Sequence, residues 1–177
     1  MVSLTVLFGL CIVLFGIIGA MRGWAKELLV TSAIVLGLFI NAILETYVEP
    51  YRTSLSLQST STQFLIRSGL ICLLAFFGYQ TTHIRVLQEK MAREKLEEIL
   101  LGLVLGLLNG YLLAGSVWGY LHEFGYPTDL VLQPEAGSVL ALQFENLVQY
   151  LPPSLLPVPH VYFAVGVIFV LIIVVFV

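Results

Sequence analysis

Charge is what this chain has least of. Only 11% of its 177 residues are Asp, Glu, Lys or Arg, against about 25% in ordinary soluble domains. Hydrophobic residues make up 59%. A water-soluble fold of this size could not bury so much apolar surface, whereas a bilayer accepts apolar side chains on the outside of a protein too. A net charge of −3 supplies no basic field, so nucleic acid is not an expected partner. Cysteine is scarce as well. Cys11 and Cys72 each sit inside an apolar run and read as small fillers. With no CxxC and no Cys/His cluster at ligand spacing, no metal and no other cofactor is expected. HExxH, GxSxG, P-loop and Rossmann signatures are missing. Ser3, Ser32, Ser68 and Ser116 lie in apolar segments with no base nearby in sequence. The chain therefore reads as a non-enzyme. His83, His122 and His160 fall at predicted helix ends, as snorkelling or capping residues do. The first segment has no basic n-region and no A-x-A site, so it reads as a retained helix rather than a cleaved signal peptide.

What the sequence does have is five long apolar stretches, at about 2–21, 28–44, 64–82, 99–121 and 161–177. A spanning helix needs about 20 mostly apolar residues, and each stretch reaches that range. Arg67 and Gln80 sit near the ends of the third, where both can snorkel toward headgroups. The fifth is rich in Val, Ile and Phe, but an isolated strand in lipid leaves its backbone unpaired, so helix is expected. The expected fold is all-α: a polytopic bundle of four to five transmembrane spans with one extracytoplasmic interfacial amphipathic helix. It divides into a four-helix bundle over 1–121, an extracytoplasmic loop over 122–160 and an added span over 161–177.

Basic residues set the expected orientation. Arg22 and Lys26 follow the first stretch, and Arg85, Lys90, Arg93 and Lys95 precede the fourth, six of the eight in the chain. Arg52 and Arg67 belong to the opposite side, and 122–160 holds none. The positive-inside rule then puts the N-terminus on the extracytoplasmic side, with the Arg22 turn and the Lys90 loop in the cytoplasm. Residues 85–98 mix Glu with Lys and Arg, which reads as a solvated helix running into the fourth span. Within 138–151, Leu140, Phe144, Leu147, Val148 and Leu151 share one helical face. That is an amphipathic helix able to lie in the interface or cap the bundle. Pro152, Pro153, Pro157 and Pro159 end it.

Glycine carries the strongest pattern. Gly102, Gly106, Gly110 and Ala114 recur every four residues, and Gly115 and Gly119 make a second such step. Small residues at this spacing form a groove that lets another helix approach closely, gaining van der Waals and weak Cα–H contacts. Two readings stand: ordinary packing within the chain, or a surface for self-association or a membrane-protein partner. Asn109 lies beside the stripe, and Leu107 one step around from it. Gly9, Gly16, Gly19, Ala20 and Gly23 in the first helix, and Ser32, Gly37 and Asn41 in the second, are further close-packing signals. Glu27 and Glu45, near the two ends of the second helix, suit interfacial pairing with Lys26, Arg22 or Arg52 better than an ion site.

Two stretches resemble the colicin V production protein family of bacterial inner-membrane proteins. Residues 19–28, GAMRGWAKEL, look like that family's arginine-glycine-aromatic turn followed by a basic residue and a glutamate, here Arg22, Gly23, Trp24, Lys26 and Glu27. Residues 101–110, LGLVLGLLNG, look like its glycine-rich fourth helix. Asn109 stands where the family usually has arginine, and Glu98 roughly where it has an aspartate-arginine pair. The resemblance covers about 1–121. It implies a four-helix inner-membrane protein linked to colicin secretion and envelope homeostasis. The expected partners are the lipid bilayer and a membrane protein or a second copy. The alternative is a small structural subunit of a larger respiratory or photosynthetic membrane complex.

Overall fold

The computed structural model describes residues 4–80, 95–127 and 145–176. Its helices are α1 (Leu4–Arg22), α2 (Trp24–Tyr47), α3 (Glu49–Ser56), α4 (Thr60–Gln80), α5 (Lys95–Glu123), α6 (Pro152–Leu155) and α7 (His160–Phe176). There is no strand among the described residues. α1, α2, α4 and α5 are long and apolar enough to cross a membrane. At about 1.5 Å per residue, they run from about 28 Å for α1 to about 44 Å for α5, against a hydrocarbon core of about 30 Å. The surplus length of α5 carries its polar ends, Glu97 and Glu98 in the first turn and His122 in the last. α7 has 17 residues, about 26 Å, and is the shortest of the apolar helices.

Packing assigns the helices different depths. α2 is the hub, touching α4, α5 and α7 as well as its sequence neighbour α1. Its Val30, Ile34, Val35 and Leu38 form the core with Ile71 and Ala75 of α4, Leu112 and Tyr120 of α5, and Val161 of α7. Close approach of α2 and α4 uses a glycine from each. Gly37 lies under the Cα of Ile71, and Gly78 under the Cα of Val30. α1 leans against α5, its most extensive neighbour, and turns Val6, Leu10, Val13 and Ile17 outward. α4 does the same with Leu65, Phe76 and Phe77, and α7 with Phe163, Val167 and Val174. So broad an apolar exterior is unfavourable in water and neutral in lipid.

Some local readings change. The glycines of α1 are not equivalent: a Cβ at Gly9 would meet nothing within 4 Å, so this residue takes no part in packing. Cys11 is half-buried, but Cys72 is exposed on the outer surface rather than packed as a filler. The short helix α3 was not anticipated. Pro50 stands at its start, Glu49 in its first turn, and Leu55 is its buried residue. Eight residues carry too little periodicity to announce a helix. Most of the amphipathic helix expected over 138–151 lies outside the described residues. Residues 145–148 are helical, and Leu147, Val148 and Leu151 gather around Trp118 with Phe8 and Tyr126. The described part of that face thus covers one end of the bundle. The helix expected over 85–94 lies outside the described residues.

The core assignment has a direct test. Ile71→Ala removes a fully buried side chain and should cost about 2–4 kcal/mol. Leu73→Ala, at a position 52% exposed on the same helix, should stay within about 0.5 kcal/mol. Unfolding in detergent, titrated with a denaturing detergent, measures both, and equal losses would show that α4 presents a different face to α2.

Candidate functional site: a buried polar joint at the Gly23 turn

The chain reverses between α1 and α2 at a single residue. Gly23 has φ 87° and ψ 154°, a conformation essentially confined to glycine. Its amide still donates to Gly19 O at 3.0 Å, and Glu27 N donates to Gly23 O at 3.3 Å. Glu98 of α5 presses against this turn, so that a Cβ on Gly23 would stand 2.5 Å from its carboxylate. Glu98 thereby sets a negative charge beside the positive end of the α2 dipole.

Below the turn, α1 and α5 meet backbone to backbone. A Cβ on Gly19 would overlap the carbonyl oxygen of Gly102 and stand 2.7 Å from the Cα of Gly106; one on Gly102 would overlap the carbonyl of Gly19. A Cβ on Gly106 would stand 3.0 Å from the Cα atoms of Gly16 and Gly19, and one on Gly110 2.9 Å from the Cα of Ile12. Gly102, Gly106 and Gly110 of the stripe thus receive α1. Five residues turn a helix by about 140°, so Gly115 points elsewhere. It and Gly119 lie under Pro152 and Pro153 of α6. Ala114 is half-buried. The groove is therefore filled from within the chain along most of its length. Leu107 is not a free lipid-facing position, because its side chain lies across Gly16. Val104, 60% exposed, is one.

Close approach brings a polar cluster into the space between α1, α2, α4 and α5. Glu27 is entirely buried. Arg22 Nη1 donates to its Oε1 at 2.6 Å, Asn109 Nδ2 to its Oε2 at 2.8 Å, and the Tyr79 hydroxyl lies 3.5 Å from Oε2. Asn109 Nδ2 also donates to Glu27 O at 3.0 Å. Because a carboxylate only accepts, this contact fixes which way the Asn109 amide points. Its Oδ1 then accepts from Thr31 Oγ1 at 2.7 Å. Arg22 Nη2 reaches Tyr79 O at 3.1 Å, and the guanidinium lies 4.4 Å from the centre of the Tyr79 ring. Every charge in the cluster is compensated, as a low-dielectric interior demands. Trp24 is half-buried at the first position of α2.

Comparison of the chain with family models, with curated proteins and with solved structures returns no match.

The sequence offers Arg22 as a partner for Glu27 but carries no sign of how deeply the pair is buried. Glu27 pairs with Arg22 as expected, and it is also a buried acceptor shared by three donors from three helices. Thr31 and Tyr79 carry no signal in the sequence, since neither stands in a motif. Asn109 was the available signal, as an amide in an apolar helix needs partners. At the other end of α2, Glu45 pairs with Arg67 at 2.6 Å rather than with Arg52. Arg67 does not snorkel to headgroups. Its side chain is 13% exposed and also meets Glu123 at 2.8 Å.

Two experiments follow. Gly106→Leu places a branched side chain against the Cα atoms of Gly16 and Gly19 and should lower stability by at least about 1–3 kcal/mol. Val104→Ala should change it little, so comparable melting of the two purified variants would remove the seam. For the ion pair, Glu27→Leu strands the Arg22 charge and should cost about 3–5 kcal/mol. Arg22→Leu combined with Glu27→Leu should recover part of that loss. Strict additivity in the double-mutant cycle would show that the two side chains act independently.

Proposed function

We propose that the chain is a non-enzymatic protein of a bacterial inner membrane that serves export or envelope maintenance by binding other membrane proteins, as its resemblance to the colicin V production family implies. The observation that supports this reading is where the two resembling stretches lie. Residues 19–28 and 101–110 are distant in sequence, yet Gly19 packs on Gly102, and Glu27 is bound by Asn109. Together they build one joint. The usual arginine of that helix is replaced by Asn109, while Arg22 of the turn supplies the charge opposite Glu27.

This placement also bears on how a partner would bind. Since α1 and α6 fill the glycine groove, docking falls to the outer faces. On α1, Leu10, Val13 and Ile17 are each at least half exposed. The basic residues support an extracytoplasmic N-terminus, with the Gly23 turn and the start of α5 at the cytoplasmic end.

Mild detergent extraction followed by native gel analysis tests the partner reading. The expected result is a species larger than the 19.6 kDa monomer in its micelle, with export or envelope proteins co-purifying. A monomer alone would sink it, and stoichiometric recovery with respiratory or photosynthetic subunits would transfer the chain to the structural-subunit reading. Orientation is read from Leu57→Cys and Leu96→Cys, each in a background lacking Cys11 and Cys72. An impermeant maleimide applied outside the cell should label the first and spare the second, and the reverse pattern would invert the topology.

A further inference from the structure

The apolar surface that the bundle turns to lipid does not have the same height on every side. At the turn end, α1 is apolar up to Met21, which is 83% exposed beside Gly23. On α5, Leu96, Leu100 and Val104 are each at least half exposed. Leu100 and Val104 flank Gly102, which packs against Gly19 and Gly23. The outer faces of these two helices are therefore apolar as far as the turn.

α4 stops short of it. Gly37 of α2 lies under the Cα of Ile71, and Gly78 under the Cα of Val30. The two helices thus run antiparallel, with Gly78 level with Val30. Phe77, 56% exposed, is the last exposed apolar residue described on α4, and it is level with about Thr31. Thr31 stands seven residues into α2 from Trp24, about 10 Å at 1.5 Å per residue. Beyond Phe77, Gln80 is exposed, and the next three residues in the sequence are Thr81, Thr82 and His83. On the α4 side the apolar surface therefore ends about 10 Å short of the turn.

Arg22 does not bridge this step. A basic residue at a helix end ordinarily snorkels outward to meet a thicker membrane. Here the guanidinium is held inward by Glu27 Oε1 at 2.6 Å and Tyr79 O at 3.1 Å, and the side chain keeps 17% exposure. A flat leaflet at the level of the turn would wrap Gln80 and the edge of Arg22 in hydrocarbon. Stripping water from such groups is costly, whereas a bilayer deforms at modest cost per Å of mismatch.

We propose that the bilayer leaflet on the turn side dips along α4, so that phospholipid headgroups and their water meet Gln80 and the exposed edge of Arg22. Lipid suits both sides of the step. Acyl chains meet Leu73, Phe76 and Phe77, and headgroups meet the polar residues beyond them. The dip depends neither on which way the chain is inserted nor on the partner reading above.

Two exposed positions separate a dipped leaflet from a flat one. Asn109 is bound to Glu27 O and to Thr31, so it is level with the first two turns of α2. Val104 lies five residues before it on α5, closer to the turn than Gln80 by about 5 Å. A nitroxide is attached at Gln80→Cys or at Val104→Cys, each in the full chain lacking Cys11 and Cys72, in phosphatidylcholine vesicles. Its collisions are measured with oxygen, with a water-soluble nickel chelate, and with a lipid that carries nickel on a chelating headgroup. A flat leaflet makes nickel collisions more frequent at 104. The dip reverses that order, with severalfold more collisions with both nickel probes at 80 than at 104, and oxygen favouring 104. Since both side chains are exposed, neither label displaces packing, and unchanged melting temperatures check this. Nickel collisions more frequent at 104, or equal at the two positions, would overturn the dip. Access of the soluble chelate but not of headgroup nickel to 80 would also overturn it, in favour of a water-filled crevice that lipid does not enter.

Discussion

A methyl group on Gly19 or Gly102 would overlap the carbonyl oxygen of the facing helix, and the turn end of the bundle depends on that contact. In lipid there is no hydrophobic drive to press helices together, so dispersion and weak Cα–H contacts at short range must do it. They require backbones to touch. Once α1 and α5 are this close, Asn109 on α5 comes within reach of Glu27 on α2, and Arg22 can close on the same carboxylate from the turn. The apolar contact and the polar cluster are therefore mutually dependent. Separating the helices by one side chain would leave a buried carboxylate short of a donor.

α2 carries an acidic residue near each end, and the two ends solve the problem of a charge in an apolar bundle differently. Glu27 is fully enclosed, with its partners Arg22, Asn109 and Tyr79 arriving from three directions. Glu45 shares Arg67 with Glu123 beside an open cavity. The first arrangement is closed and serves cohesion. The second borders a cavity at the other end of the bundle. The proline segment that covers Gly115 and Gly119 also contributes Pro153 and Leu156 to that cavity wall, so the far end of the glycine stripe and the cavity share a structural element.

The glycine pattern was readable as a groove, but its occupant was not. Four-residue spacing states that something comes close and is silent on whether it belongs to the same chain. Similarly, Arg67 in an apolar stretch could be read as snorkelling, because sequence shows a charge near a helix end without showing the carboxylates of α2 and α5 folded beside it. Leu107 and Gly9 make the same point in opposite directions. The leucine is packed across Gly16, while the glycine stands in open space.

By itself, the sequence determined that the chain is a helical bundle with spans of membrane length. Those properties follow from composition and from runs of apolar residues, which act locally and do not depend on what each helix meets. It also marked Asn109, Glu27 and the glycine stripe as positions needing partners, since a polar group in lipid or a missing side chain is costly unless matched. Which groups match them was decided only by tertiary structure. Glu27 with Asn109, Arg67 with Glu123, and Gly102 with Gly19 join residues 56 or more apart in sequence. Such pairings are set by how whole helices dock, and docking depends on the summed shape of their faces rather than on any single residue.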